Sequence, residues 1–354
     1  MHTLEHQQKQ QKQQKQQPQH TVIPTPTQHT QSHTDTMAHQ TPSANPATFG
    51  ADLARMQQLE AEGVVFEAPQ AGSTHTGFAI TRCMWAGHTR AGADVVLAES
   101  PTYGTLLMLD GELQCSEYDR DQYHEALVHP LMHALAGVPK KRVLIVGGGE
   151  GATARELLRY GSDAVASVLW VDIDPDLVHL CRRHLAWAGD EVYNDPRLTY
   201  LAADCALVLQ DATQPPFDAI VIDLPDPAGE DDAAGVAAQG YLYSAAFWQD
   251  VKGRLAPGGG VVSHAGPVEP GVHAQSRRAG LHRLQRSMDA AGLGSGHAYH
   301  SLIPSFQGEW AWLMNLPPAV GTTNAVPDLA VFDADWQAEA FHWHRSWFTL
   351  GGGL

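Results

Sequence analysis

Three carboxylates each stand just past a short apolar run, a placement that suits chemistry better than packing. Asp172 follows Val-Leu-Trp-Val, Asp204 follows Leu-Thr-Tyr-Leu-Ala-Ala, and Asp223 follows Ala-Ile-Val-Ile and precedes Leu224-Pro225-Asp226-Pro227. A fourth acid, Glu150, lies inside the run Gly147-Gly148-Gly149-Glu150-Gly151. Glycines let a backbone turn sharply and lie against a ligand that side chains would obstruct. An acid about twenty residues beyond such a turn can accept both hydroxyls of a ribose, which fits Asp172. Asp204 is placed to accept from the exocyclic amine of an adenine. Glu150 would repel the carboxylate of an amino-acid tail and attract a bare ammonium. Each aspartate alone also reads as a helix cap or turn residue. Three in succession at the binding edge of one sheet are hard to ascribe to capping alone, and they point to an enzyme with a nucleoside cofactor.

The elements that must position these acids follow from periodicity. Residues 143–146 are continuously apolar, as expected of a parallel strand buried on both faces. The glycine turn follows, and 152–160 reads as a helix whose free N–H groups point back at the same spot. Strands at 167–171, 198–201, 217–222 and 260–264 alternate with helices at 176–186 and 247–255, with a turn at 257–259. Repeated βα units predict a doubly wound, Rossmann-like parallel sheet of the class I methyltransferase type, with ligands beyond the carboxyl ends of the strands. Gly-Gly-Gly-Glu-Gly lacks the G-x-G-x-x-G spacing, since the sixth position is Ala152. That tilts the reading from NAD toward S-adenosylmethionine or a relative that has lost its tail carboxylate.

Upstream, 1–48 is Gln, His, Thr and Pro with little to bury and is expected to be disordered. Residues 49–122 predict a helix over 51–62 and a small antiparallel β domain, with runs at 77–85, 94–97 and 105–109. The catalytic domain is expected over 123–318, opening with a helix over 123–136, and a C-terminal tail over 319–354. His129 and His133 have an i, i+4 spacing that a metal could use, but no acidic partner completes a His-Glu-x-x-His pattern, so packing or surface roles are expected and no metal site. The four cysteines are far apart and form no C-x-x-C pair, which suits reduced thiols rather than disulfides or zinc. A formal charge of −17 argues against a nucleic-acid partner and suits a cationic substrate. No run approaches a membrane span, and neither a secretory nor a transit signal is legible, so no membrane partner and a cytoplasmic location are expected.

Taken together, the blocks Thr-Tyr-Gly at 102–104, Leu-Asp-Gly-Glu-Leu-Gln at 109–114, Glu-Tyr-Asp-Arg-Asp-Gln-Tyr-His-Glu at 117–125, the glycine run, Val-Asp-Ile-Asp-Pro-Asp-Leu-Val at 171–178, Ala-Ala-Asp-Cys at 202–205, Ile-Asp-Leu-Pro-Asp-Pro at 222–227 and Ile-Pro-Ser-Phe at 303–306 resemble the polyamine aminopropyltransferases. The resemblance runs from Tyr103 to Asn315. Within that family, Tyr-His-Glu at 123–125, Glu150 in the glycine run, His-Ala-Gly-Pro at 264–267 and the 303–312 segment look most like the thermospermine-forming branch. Pro225, where that branch usually has alanine, and the Asp/Ala-rich stretch 228–239 depart from its pattern.

The resemblance implies a reaction and roles. The co-substrate would be decarboxylated S-adenosylmethionine, the acceptor spermidine with thermospermine as product (or putrescine, were the chain a spermidine synthase, or spermidine with spermine as product, were it a spermine synthase), and the assembly a homo-oligomer. Asp223 matches the catalytic base, and Tyr123 and Asp226 match residues that orient the amine. Gln114, Gly147, Gly148, Gly149, Glu150, Asp172 and Asp204 match cofactor positions, with Glu150 on the aminopropyl ammonium. His124 replaces a glutamine that contacts the amine, which leaves its role open; as a neutral imidazole it can still accept a hydrogen bond. Phe306 replaces a substrate-side tyrosine. Trp310 and Trp312 either line the acceptor tunnel through cation–π contacts or pack in the core.

Overall fold

The structure, a computed structural model, describes residues 49–67, 76–229, 232–268, 278–319, 326 and 328–343. The segment 1–48 and the chain end from 344 onward, on which two of the expectations above fall, lie outside them.

The N-terminal part begins with α1 (Leu53–Glu62), capped by Asp52, whose side chain accepts from Arg55 N, and closed by Gly63 in the left-handed region. Strands β1 (Val64–Phe66) and β2 (Gly77–Ala79) pair antiparallel. A four-stranded antiparallel meander follows, of β3 (Arg82–His88), β4 (Asp94–Ser100), β5 (Gly104–Leu109) and β6 (Glu112–Ser116). The run at 77–85 is therefore two strands in two sheets, broken at residues 80–81. The short β1 and β6 were not legible as strands beforehand.

Helix α2 (Arg120–Ala134) starts three residues earlier than its periodicity suggested. It is buried from Tyr123 to Met132 and contains Pro130, which leaves the Ala126 carbonyl without its helical donor. The hydroxyl of Tyr299 donates to that carbonyl at 2.8 Å, so the buried acceptor is satisfied from outside the helix.

The main sheet is laid down by β7 (Lys141–Gly147), α3 (Ala152–Leu158), β8 (Val165–Asp172), α4 (Pro175–His184), α5 (Asp190–Tyr193), β9 (Leu198–Ala202), α6 (Cys205–Leu209) and β10 (Phe217–Asp223). It continues with α7 (Ala233–Gln239), α8 (Ala245–Arg254), β11 (Leu255–Pro267), α9 (Ala279–Ala290), β12 (His297–Ile303) and β13 (Gly308–Met314). Strand order is β12-β13-β11-β10-β7-β8-β9. The pairs β10–β11, β10–β7, β7–β8 and β8–β9 are parallel, giving the expected doubly wound core. β13 is antiparallel to both β11 and β12, so a hairpin closes one edge of the sheet. The reversal of strand order at β7 opens a crevice between the ends of β7 and β10, the usual ligand position in such sheets.

Two apolar layers sandwich this sheet. Leu127, Val143, Ile145, Trp170 and Trp312 belong to one, and Leu144, Ile220, Phe247, Trp248 and Leu284 to the other. The tail helix α10 (Ala334–Ala340) docks on the first layer, where Phe341 packs on Tyr299 with ring centroids 4.6 Å apart. Buried Glu125 holds the approach to it by accepting from the backbone N–H groups of Ala330, Val331 and Phe332 at 2.7–2.8 Å. His129 and His133 serve packing. His129 bonds Tyr160 and Glu156 at 2.8 and 3.0 Å, and His133 bonds Gln337 at 3.1 Å. No helix among the described residues is long and apolar enough to cross a membrane.

Candidate active site

Parallel register brings the acids together. Asp223 pairs with Gly147 across β10–β7, and Asp172 pairs with Ala202 across β8–β9, so all end at one edge. The glycine turn lies directly on Asp223: Gly148 N donates to the Asp223 carbonyl at 2.8 Å. Gly147 has φ +84°, and a Cβ there would come within 2.1 Å of that carbonyl oxygen, so no other residue fits. Past this edge lies one cavity of about 1060 Å³, lined by every candidate residue named above except Trp312. Trp312 is fully buried and stacks on Tyr299 at 5.8 Å, so of the two tryptophans only Trp310 faces the cavity.

Asp223 sits at the centre. Tyr123 donates to Oδ1 at 3.2 Å and Thr153 to Oδ2 at 2.6 Å. Burial, and then the charge of Glu150, push its carboxyl above the usual range, which makes it a stronger base than a solvated aspartate. Burial likewise keeps the Tyr123 phenol protonated and hence a donor. Thr153 had no assigned role in the sequence. Its only signal there was its place in the first turn of the helix after the glycines.

Glu150 is engaged by His124. Nε2 of His124 lies 2.9 Å from Glu150 Oε1 and 4.0 Å from Asp223 Oδ2, while Nδ1 lies 2.6 Å from the Arg120 carbonyl oxygen. Both ring nitrogens face acceptors, so both must donate. Burial opposes charge on the ring, but the hydrogen bond to Glu150 and the charges of Glu150 and Asp223 outweigh it and hold the imidazole above its ordinary value. Glu150 shows the reciprocal result: burial would raise it, but the His124 bond and charge hold it below the usual carboxylate range. The neutral, accepting form that residue type allows for His124 is therefore not the one these surroundings favour. The sequence did not reveal the Arg120 carbonyl, four residues back on the same helix, as the partner of Nδ1. The ligand atoms of His124, Glu150 and Asp223 also lie within 4.8 Å of one another, a compactness a cation could use.

At the end of β8, Asp172 accepts from Asp174 N at 2.8 Å, and burial still pushes its pKa up to about 7. Asp204 caps α6 by accepting from Ala206 N at 2.9 Å, so the capping role open from the sequence is realised while the residue also lines the cavity. Gln114 makes a local 3.4 Å contact with the Glu112 carbonyl.

On the opposite side, His264 holds Asp226. Nε2 lies 2.8 Å from Asp226 Oδ1 and 3.0 Å from the Trp310 indole nitrogen, while Nδ1 faces the Leu224 carbonyl at 3.2 Å. The indole N–H requires a lone pair at Nε2 and the carboxylate requires a proton, so the ring satisfies one at a time. Burial opposes charge here too, but Asp226 outweighs it and favours the protonated ring. His264 was visible only as part of a family-like block, with no role attached. The stretch 228–239 that departs from the family pattern ends in Gln239, which donates to the Asp226 carbonyl at 2.6 Å and accepts from Ala228 N at 3.1 Å. It thereby fixes the loop that carries Asp226. Buried Asp119 joins Ser116 to Ser305 through bonds of 2.6–2.8 Å and so sets the turn bearing Phe306, whose ring meets Tyr123 at 5.9 Å and Trp310 at 4.8 Å.

The fold and this cavity define a Rossmann-like protein with an acid-lined site past the carboxyl ends of its parallel strands. A family model for the spermine/spermidine synthase domain matches residues 120–319. The chain belongs to that family, whose curated relatives are named polyamine aminopropyltransferases. It is 42% identical over 199 residues to the polyamine aminopropyltransferase of Synechococcus sp. (strain JA-3-3Ab), covering 55% of this chain and 60% of that one. It is 36% identical over 237 residues to polyamine aminopropyltransferase 2 of Pseudomonas aeruginosa, covering 67% and 63%. The matches thus span about 60% of these relatives' length. Among solved structures it is similar to spermidine synthase from Thermotoga maritima, with TM-score 0.65 and 19% identity over 79% of this chain and 91% of that chain. It is also similar to a spermidine synthase in complex with the transition state analogue AdoDATO, with TM-score 0.66 and 20% identity over 79% and 92%. At such identities the likeness concerns the fold.

Proposed function

We propose that this protein transfers the aminopropyl group of decarboxylated S-adenosylmethionine to spermidine, giving thermospermine and 5′-methylthioadenosine. The observation that carries the reading is the convergence of Asp172, Glu150 and Asp223 on one cavity, with Glu150 half-buried inside the glycine turn. Asp172 would take the ribose, Asp204 the adenine amine and Glu150 the ammonium of the arm, for which a carboxylate-bearing tail is a poor substitute. A spermidine synthase of similar fold has been solved in complex with the transition state analogue AdoDATO.

Polyamine nitrogens are protonated at pH 7, with pKa about 10.4 for an alkyl ammonium, and an ammonium has no lone pair. Asp223 accepts the proton as the nitrogen attacks the carbon beside the sulfonium. The C–N bond forms, the C–S bond breaks, and its electron pair stays on sulfur. Tyr123 and Asp226 orient the amine. Holding nucleophile and carbon in line in a dry cavity supplies much of the acceleration.

A longer acceptor is favoured by two further acids of the cavity. Glu67 and Glu112 also line it, and the charge of Asp226 helps to raise both carboxyls. Those acids are suited to a further ammonium of a triamine. Phe306 and Trp310 add apolar wall to the same cavity. The test is a product assay with decarboxylated S-adenosylmethionine and putrescine or spermidine offered separately. Thermospermine from spermidine supports the reading. Turnover of putrescine alone replaces it with spermidine synthesis, and turnover of neither, with binding of intact S-adenosylmethionine, sinks the transferase assignment.

A further inference from the structure

Glu150 is the carboxylate available to the ammonium of the transferred arm, yet it already has a cationic partner. His124 is 1% exposed and points into the centre of the cavity, with acceptors on both ring nitrogens. The groups that face it are Glu150 from the glycine turn, Asp223 from β10, and the Arg120 carbonyl and Tyr123 from its own helix. Among these facing groups there is no second cation. The proton between Nε2 and Oε1 therefore belongs to the pair as a unit. Whichever atom carries it, the pair holds one proton more than a neutral imidazole beside an ionised carboxylate.

We propose that the His124–Glu150 pair stores one proton that is expelled when the primary ammonium of an aminopropyl-bearing sulfonium nucleoside docks on Glu150. The inference rests on the reading of Glu150 given above. An ammonium brings its own N–H donors and its own charge to the carboxylate. An imidazolium 2.9 Å from the same oxygen then loses its stabilising partner and gains a like-charged neighbour, and both changes favour the neutral ring. The ring stays anchored, because Nδ1 keeps its proton on the Arg120 carbonyl at 2.6 Å, and only Nε2 is vacated. Affinity for the charged arm is thereby linked to pH through a residue that need not move. The exchange of ammonium for proton leaves the net charge around Glu150 unchanged, so the cavity gains only the charge of the sulfonium before the amine arrives.

Proton release on binding tests this. Calorimetric titration at pH 7 in two buffers of different ionisation enthalpy gives the number of protons released by decarboxylated S-adenosylmethionine and by 5′-methylthioadenosine, which has neither ammonium nor arm. Wild type is expected to release about one proton more with decarboxylated S-adenosylmethionine than His124→Gln does, and the two proteins are expected to match with 5′-methylthioadenosine. Equal release by the two proteins with decarboxylated S-adenosylmethionine overturns the proposal. If His124→Gln does not fold, wild type alone decides: equal release with the two ligands overturns the proposal, and an excess of about one proton with the charged ligand supports it. Failure of wild type to bind decarboxylated S-adenosylmethionine at all would instead remove the functional reading beneath it.

Discussion

Tyr123 and Asp223, a hundred residues apart in the chain, meet through a 3.2 Å hydrogen bond in which the phenol donates to Oδ1. Thr153 holds the other carboxylate oxygen at 2.6 Å. Each donor stabilises the anion, while burial and Glu150 act in the opposite sense, and the balance leaves Asp223 more basic than usual. Asp223→Asn is expected to lower kcat at least 10³-fold, in the range typical of a lost general base, with 5′-methylthioadenosine binding retained. Tyr123→Phe should cost about 10-fold to 100-fold through lost orientation. Near-normal kcat for Asp223→Asn in a steady-state assay would remove it as the base.

The vacated Nε2 of His124 would face Asp223 Oδ2 across 4.0 Å, which gives the proton taken from the amine a second resting place. His124→Gln keeps hydrogen-bonding capacity but cannot hold that proton. Its kcat is expected to fall about tenfold and to depend more steeply on pH below neutrality than wild type. Superimposable kcat–pH profiles would count against the role.

Nucleoside binding should follow the ionisation of Asp172. Burial raises its pKa from 3.8 to about 7, so the folded protein holds a proton that the unfolded chain has released between those values. Stability of the free protein therefore falls as pH rises through that window, and is fully present below it. Affinity for 5′-methylthioadenosine moves the other way, because only the carboxylate accepts from both ribose hydroxyls. Asp172→Asn should flatten both dependences, as read by thermal melts with and without the nucleoside. An unchanged pH dependence of binding would place the ribose elsewhere.

His264 is expected to matter for the amine and not for the nucleoside. It ties Asp226, which is 43% exposed, to a buried framework through Nε2, with the Trp310 indole beside it. His264→Ala should raise KM for the acceptor about tenfold by releasing Asp226, while the affinity for 5′-methylthioadenosine stays constant. Equal weakening of both ligands would indicate a general structural role.

If the cavity holds ammonium groups, chelation should leave turnover unchanged. Dialysis against EDTA followed by assay checks this. A loss of activity restored by a divalent ion would put a metal on His124, Glu150 and Asp223, whose ligand atoms have the necessary proximity.

Local patterning made the parallel sheet, the glycine turn and the carboxylates at the strand ends legible, because a buried strand must be apolar throughout and a close backbone approach must be glycine. It also singled out residues for a site that the structure gathers around one cavity, since βα repeats send every parallel strand end to the same edge. What the chain did not reveal is pairwise and long-range. The split of 77–85 between two sheets depends on which partner each half finds. Trp310 and Trp312 are of the same type and, two positions apart on β13, share one face of the sheet, so only what each meets along the strand tells them apart: Trp312 stacks on Tyr299 in the core and Trp310 lines the cavity. The charge on His124 was decided by the tertiary structure as well. Residue type allows either protonation state, and the choice rests on what stands 2.6 and 2.9 Å from its two nitrogens in the folded protein.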